Sequence, residues 1–475
     1  MKAVPNRLFG VGVFVVALIP RLYVARRWAG PPVWDGHYYD FGARRIAEGF
    51  GYSDDLIIRG IKVWHPWCHY PVGYSALLGF FYRLFGTTPA VAAWVNATVG
   101  ALLAVVVWAL ATRCLSPWRS TLAAALVAIH PGLIFYSALT MTEPLAALAT
   151  LFAFWLGVAI QPPKVGRVAA AIMLGIAALV RPQALLCAPL LAFIHNDPPE
   201  FSGPRHVLAF VRRAALASVL VFIPIVPWTV RNCRVMDACA LVSTNGGWNL
   251  AIGAFPRATG RFETLRSSDG CREVSGQVQQ DRCWFAYGTE HIKKDPLRWL
   301  ALMPKKLHYT FDHEGFAVGY LAESNPAVWP PERQARVRRW MGAYHLAILV
   351  LGGLAMIARP TFGKGAWLRG LLFPVLAGLI VWSAQLLEPV FWPFAIAAGI
   401  LPFFPSRGAP ANSPVFRLCA GLLLSTVATH AIFFGEDRYH MVVSPALCLL
   451  AAAALRPSRP RSDDSPEHGT LRGLV

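Results

Sequence analysis

The fold class predicted from sequence is an all-α polytopic membrane protein with about twelve transmembrane helices and two large extracytoplasmic loops. Three observations carry it. Of 475 residues 56% are hydrophobic and only 15% charged, with a mean hydropathy of +0.46, so lipid rather than water is the solvent for most of the chain. Apolar runs recur along most of the length, and cations gather in alternate short loops between them. A cytosolic enzyme and a disordered chain are excluded. The net charge of +19 would suggest nucleic acid in a soluble protein; here it is read as cytoplasmic loop charge, and no nucleic-acid partner is expected.

The first run, residues 9–19, follows Lys2 and Arg7 and has the shape of a signal sequence. Pro20-Arg21-Leu22-Tyr23 follows in place of a small-residue cleavage site, so the run is expected to stay as a first span with its N-terminus in the cytoplasm. Further spans are predicted at 90–111, 121–139, 144–160, 168–180, 184–194, 214–230, 344–357, 368–384, 390–404, 417–434 and 441–455. Cations mark the retained loops: Arg113 and Arg119, Lys164 and Arg167, Arg205 with Arg212 and Arg213, Arg359 with Lys364 and Arg369, Arg407, and the tail from Arg456 to Arg461. The opposite face then receives two long segments, 26–89 and 231–341, and short turns at 140–143, 181–183, 386–388 and 435–440. The chain thus divides into an N-terminal membrane module (1–230) containing the first long loop, a second extracytoplasmic segment (231–341) and C-terminal helices with a cytoplasmic tail (342–475).

Cys233, Cys239, Cys271 and Cys283 all fall in the second long segment, where an oxidising compartment permits pairing; which pairs form stays open. Their spacing shows no CxxC pair, which argues against zinc. Cys114, Cys187, Cys419 and Cys448 lie in or beside spans and read as small apolar filler.

Spans nearly free of acids argue against ion-coupled transport. His130 reads as a hydrogen-bonded interior residue rather than a ligand, since no second ligand lies near it in sequence. Polar function therefore concentrates at the extracytoplasmic surface. There, 36–48 carries Tyr39, Ala43 and Ala47 four residues apart and Asp40 four before Arg44, which predicts a short amphipathic helix. Asp35 sits where a cap belongs. It is either a helix cap, which composition alone favours, or a fixed carboxylate able to act as a base at the bilayer surface. Lys62, His65, His69, Tyr70 and Tyr74 follow, and the apolar stretch 77–85 is too short to span and reads as a juxtamembrane helix. Trp228 and Arg231 at the end of a span read individually as interfacial anchors. The glycines of Ser243-Thr244-Asn245-Gly246-Gly247 fit a loop turn or an anion-binding nest of backbone N–H groups.

Taken in order, several segments resemble the GT-C class of polytopic glycosyltransferases, near the bacterial relatives of protein O-mannosyltransferases and the lipid A aminoarabinose transferase. The resemblance rests on the Asp-Tyr-Ala-Gly-Gly-Tyr spacing from Asp35 to Tyr52, the HYPVGYSALLGFFYRLFG segment, Thr142-Glu143-Pro144, Arg181-Pro182, and the stretch from PWTVRN through STNGGWNL to ATG. The terminal DRYHMVVSPALCLLAAAAL resembles the last span of such enzymes. It implies a bacterial inner-membrane enzyme, active on the extracytoplasmic side, that takes a sugar from a polyprenyl-phosphate donor and passes it, with inversion, to an acceptor hydroxyl or amine. The class's loop carboxylate is carried to Asp35 alone, because Gly36 stands where a second acid often follows. No cofactor is required on this reading, and a divalent cation stays open, although no His/Asp/Glu cluster shows metal spacing. A phosphate leaving group needs cations: Arg181, Arg231 and Arg438 are the candidates, with Lys62, His65 and His69 as alternatives, and Tyr39 and Glu143 complete the candidate substrate contacts. A lipid-linked oligosaccharide flippase or other multispan transporter, and a scaffold without catalysis, are the rival classes; a charged passage through the membrane would distinguish the former.

Overall fold

The computed structural model describes residues 7–194, 204–357, 366–383, 389–404 and 413–454. Arg359, Lys364, Arg407, the tail from Arg456 to Arg461 and the predicted turn 386–388 lie outside the described residues. The fold is a helical bundle, and what shapes it is where proline breaks the apolar runs.

Helix α1 (Arg7–Trp28) packs lengthwise on α4 (Pro89–Ala111), and between them in sequence come the amphipathic α2 (Asp35–Ala47) and α3 (Gly73–Phe85). The periodicity of α2 is realised: Arg44 pairs with Asp40 at 2.5 Å, and the buried face of α2 meets α3, where Ser75 donates to the Tyr39 carbonyl at 2.9 Å and Tyr82 to Asp40 at 2.5 Å. Between α2 and α3 two-residue strands, β1 (Ile57–Ile58) and β2 (Ile61–Lys62), pair around Arg59 and Gly60, both at positive φ, which matches the twist a two-residue hairpin requires. The predicted span 121–139 is bent: α5 (Pro117–Ala128) and the segment starting with α6 (Pro131–Phe135) meet at 54°. Pro131 cannot donate to the α5 ladder, and the carbonyls left at its end are met by the buried Arg21, which donates to Val127 at 2.8 Å and Ala128 at 2.9 Å.

Next come α7 (Glu143–Ala159) and α8 (Pro163–Val180), packed face to face. The predicted span 184–194 is not an α-helix; Pro182 and Pro189 begin two 3-10 stretches, Pro182–Cys187 and Pro189–Phe193. The predicted span 214–230 is likewise split into α9 (Pro204–Leu220) and α10 (Val226–Val235), with Pro224 at the break. Gly175 lets that break approach α8, for a Cβ there would lie 2.1 Å from the Val221 carbonyl.

Part of the second long segment packs in a small second core that Phe434 and Tyr439 join, while its Leu307, Phe311, Val318 and Leu321 belong to the main core. Helices α11 (Gly246–Ala254), α12 (Gln277–Lys294), α13 (Pro296–Phe311) and α14 (Phe316–Ser324) run through the segment, and Trp284, Phe255 and Leu265 are buried with the Cys271–Cys283 disulfide beside them. Cys233 pairs with Cys239. The bundle closes with α15 (Pro331–Ile357), α16 (Ala366–Ser383), α17 (Trp392–Ile400), α18 (Pro414–Ile432) and α19 (Ser444–Ala452). The predicted last span, 441–455, becomes a 3-10 turn Tyr439–Val442 followed by the nine-residue α19, buried throughout.

Among the described residues five helices, α1, α4, α8, α15 and α18, are long and apolar enough to cross a bilayer, and the bent α5 pair makes a sixth. The multispan membrane class stands; the count of twelve does not follow from these helices, because several apolar runs are spent on short, proline-broken segments packed inside protein.

Candidate functional site

Asp35 opens α2 but does not cap it. The cap position belongs to Trp34, whose φ of 49° places a bulky residue in the left-handed region, a strained conformation held by ring contacts with Phe316 at 5.5 Å and Tyr320 at 5.9 Å. The Asp35 carboxylate is therefore free of the helix end. Its Oδ1 accepts from the Tyr70 hydroxyl at 2.8 Å, and its Oδ2 accepts from Arg438 Nη1.

Arg438 lies in the turn between α18 and α19, where Gly435 to His440 crosses the end of the bundle. Its guanidinium sits over the rings of Phe316 at 5.1 Å and Tyr439 at 4.9 Å, and Nη2 donates to the Tyr439 hydroxyl at 3.1 Å. Nε approaches Glu436 Oε2 to 2.5 Å, an ion pair whose angle does not make a hydrogen bond, so both atoms remain buried without one. Neighbouring Asp437 fixes the turn by accepting from the backbone amides of Gly315 and, at 2.8 Å, Phe316.

A second ion pair faces the first across Tyr439. Arg181, just beyond α8, donates to Thr142 at 2.9 Å and to the wholly buried Glu143 at 2.7 Å, and its guanidinium lies 5.4 Å from the Tyr439 ring centroid. Tyr39 is buried against Tyr70 at 5.1 Å and Tyr74 at 5.6 Å, where the charges of Asp35, Arg181, Glu143 and Arg438 all act on it. His69 packs edge-on to Tyr70 at 4.9 Å. Five of the candidates, Asp35, Tyr39, Glu143, Arg181 and Arg438, are thus brought together, with His69 behind Tyr70.

The two acids that touch Arg438 are driven apart electrostatically. Burial pushes the Asp35 carboxyl up, but the Arg438 charge, the Tyr70 and Arg438 hydrogen bonds and Arg181 together outweigh it, and the net result lies below the usual carboxylate value. Burial pushes Glu436 up to about 7 despite Arg438, because Asp437, Asp35 and Glu143 add like charge. His69 is lowered by burial to about 4, so near neutral pH its ring carries no charge.

Three candidates lie elsewhere. Lys62, in the hairpin, pairs with Glu48 at 2.5 Å, and His65 pairs with Asp54 at 2.5 Å, both largely in solvent. Arg231 donates to the backbone carbonyls of Trp67 at 2.9 Å and Tyr52 at 2.5 Å and lies over Trp228 at 4.7 Å, so its guanidinium ties the first long segment to α10. At the glycine turn two backbone amides do meet an anion, and it is the chain's own: Asp281 Oδ1 accepts from Gly247 at 2.7 Å and Trp248 at 3.3 Å. Gly36 leaves no space for a second acid, since a Cβ there would lie 2.2 Å from the Tyr320 hydroxyl.

Sequence reading passed over Tyr70 as a partner, Glu436 and Tyr439. The signal for the last two was the crowding of Glu436, Asp437, Arg438 and His440 between two apolar runs, a charge density that a plain turn does not need. It also missed a group of metal-ligating side chains: Glu314, His345 and His440, each buried, offer atoms within 4.8 Å of one another. His130, read as a hydrogen-bonded interior residue, does accept from the Leu133 amide at 3.4 Å, and it also lies beside Glu314.

Residues 69–228 match the family model described as dolichyl-phosphate-mannose-protein mannosyltransferase. No protein of curated function matches the chain. Among solved structures, the oligosaccharyltransferase AglB from Archaeoglobus fulgidus, in complex with an inhibitory peptide and a dolichol-phosphate, aligns at 13% identity over 94% of this chain and 50% of its own, with a TM-score of 0.42. ArnT from Cupriavidus metallidurans bound to undecaprenyl phosphate aligns at 16% identity over 91% of this chain and 77% of its own, with a TM-score of 0.37. The chain spans about half the length of the AglB chain. The matched residues 69–228 include the HYPVGYSALLGFFYRLFG, Thr142-Glu143-Pro144 and Arg181-Pro182 segments, and the chain is similar to the GT-C glycosyltransferases, near the protein O-mannosyltransferases, as its motifs imply.

Proposed function

We propose that the protein is a membrane glycosyltransferase that moves a sugar from a polyprenyl-phosphate donor to an extracytoplasmic acceptor hydroxyl or amine, with inversion. The single observation that carries this reading is the pairing of Asp35 with Arg438, in which one guanidinium is shared between a strongly ionised and a weakly ionised carboxyl. Arg438 retains a buried Nε without a hydrogen bond, and a phosphate oxygen is the acceptor such a planar fork favours. Arrival of the donor phosphate draws Arg438 from Asp35. The carboxylate loses its counter-ion and becomes a better base.

Asp35 then takes the proton of the acceptor as its oxygen or nitrogen bonds to the anomeric carbon. The bond from that carbon to the phosphate oxygen breaks on the opposite face, and polyprenyl phosphate departs with the bonding pair, its charge met by Arg438 and Arg181. Tyr70 holds Oδ1 so that Oδ2 faces the exchange, and Tyr39 lines the same wall. The chemistry requires no cofactor. Residues 26–89 carry the base, and we assign the choice of acceptor to the segment 261–341, part of which packs with Phe434 and Tyr439 in a small core beside the site. The enzyme works at the bacterial inner membrane with this site on the extracytoplasmic side. The test is transfer of label from a polyprenyl-phosphate sugar in vesicles holding the full chain or its Asp35→Asn variant, paired with mass spectrometry of envelope glycans. Equal transfer by the two proteins removes Asp35 from the mechanism.

A further inference from the structure

Three side chains from distant parts of the chain, two of them only two residues from Phe316 and Arg438, converge. Glu314 lies in the link between α13 and α14, His345 in the middle of α15 and His440 in the 3-10 turn before α19; their side chains are 3%, 1% and 0% exposed. Glu314 Oε2 is 3.2 Å from His440 Nε2 and 3.9 Å from His345 Nδ1, and the two imidazoles stack at 3.7 Å between centroids and 19° between planes.

The backbone fixes which ring nitrogens carry protons. His440 Nδ1 lies 2.7 Å from the Thr310 carbonyl and His345 Nε2 lies 2.8 Å from the Phe311 carbonyl. A carbonyl only accepts, so each of these nitrogens is the donor, and each neutral ring turns its lone pair toward the centre of the group. Two imidazole lone pairs and a carboxylate oxygen then meet in a space closed to water. Acceptors so arranged repel one another unless something positive lies between them. One proton satisfies one contact only. A cation satisfies all three.

We propose that Glu314, His345 and His440 bind a divalent transition metal of the zinc class, which locks the α13–α14 link and α15 to the turn bearing Arg438. Two imidazoles with one carboxylate suit Zn2+ and its neighbours rather than Mg2+ or Ca2+, which select oxygen. Ligand atoms on a tetrahedral zinc with bonds of about 2.0–2.1 Å stand roughly 3.4 Å apart; with spacings of 3.2 and 3.9 Å to Glu314 and all three atoms within 4.8 Å, binding requires the carboxylate to shift and one imidazole to tilt out of the stack. Both rings already donate their remote N–H to a backbone carbonyl, the outer contact that orients metal-bound histidine. His130, wholly buried and with no hydrogen bond at Nε2, directs that nitrogen at Glu314 Oε2 from 3.9 Å and supplies the outer donor for the carboxylate. The role is structural. Asp437, on the same turn, already accepts from the Gly315 and Phe316 amides, so metal and carboxylate hold one junction from two sides.

The full chain, purified in detergent and stripped with chelator, is titrated with Zn2+ or Co2+, and bound metal is measured after desalting. About one equivalent retained per chain, with tetrahedral Co2+ absorption bands and a rise in unfolding temperature of several degrees, is expected. His345→Ala and His440→Gln should retain less than about a tenth of an equivalent, whereas His37→Ala, on the exposed face of α2, should keep the full amount. Wild-type chain that holds less than about a tenth of an equivalent and shows no thermal shift overturns the proposal and leaves a shared proton in its place. Full retention by both histidine variants overturns it as well. Because the wild-type titration decides by itself, a variant that fails to fold does not rescue the idea.

Discussion

Arg438 donates through Nη1 to Asp35 Oδ2 across a sequence separation of 403 residues, and the same guanidinium lies against Glu436. The first expectation concerns Asp35. Replacing it with Asn keeps shape and loses the proton acceptor, so sugar transfer should fall by about 10²- to 10⁴-fold while membrane insertion is unchanged. Label transfer in vesicles, set beside the amount of inserted protein, measures both. Wild-type transfer rates would sink the assignment.

Arg438→Lys preserves charge but removes the planar fork. Transfer should drop by about 10²-fold, with donor KM rising, because a lysine lacks the planar fork that can keep its Tyr439 contact while turning from Asp35 to a phosphate oxygen. Steady-state rates over a range of donor concentrations test this; an unchanged KM with unchanged rate would show that Arg438 does not meet the donor.

Glu436 gives a pH signature in stability. Its folded value of about 7, against an ordinary 4.5, means the native state holds a proton that the unfolded chain has released between those values. The stabilisation is fully present below 4.5 and is lost as pH rises through about 7. Melting temperatures of wild type should therefore decline across that window, and Glu436→Gln should flatten the decline. Parallel curves for the two proteins would refute the assignment.

Lys62→Ala and His65→Ala should leave transfer within about threefold of wild type, since each removes a solvent-exposed pair worth about 0–1 kcal/mol and neither residue reaches Asp35. A loss of tenfold or more in the transfer assay would return the hairpin to the donor site.

Gly36→Ala should destabilise the fold by about 1–3 kcal/mol, because its Cβ would meet the Tyr320 hydroxyl at 2.2 Å and the Thr140 carbonyl at 3.1 Å. Combining it with Tyr320→Phe should recover part of that loss in denaturant titrations. Equal stability of the single and double variants would place the strain elsewhere.

Local patterns were legible in the sequence and long-range ones were not. The i, i+4 spacing of Tyr39, Ala43 and Ala47 gave α2, and the short apolar run gave α3, because helical periodicity is written within a few residues. Hydropathy located apolar segments but could not tell a span from a proline-broken segment such as Pro182–Phe193, since both are apolar runs of similar composition. Asp35 and Arg438 stood out singly as charges at helix ends. Their pairing, the use of Asp281 to fill the glycine turn, and the meeting of Glu314, His345 and His440 depend on elements that lie far apart in sequence. Spacing rules for metal ligands search along the chain and so miss a group assembled across the bundle.

Arg438 and Asp35 meet only when the turn before α19 packs against the start of α2. One guanidinium thereby joins the first long segment to the turn before α19, and displacing that turn leaves the carboxylate without its counter-ion. The ion pair is in that sense a clasp between two distant parts of the chain, and it closes only when both have folded.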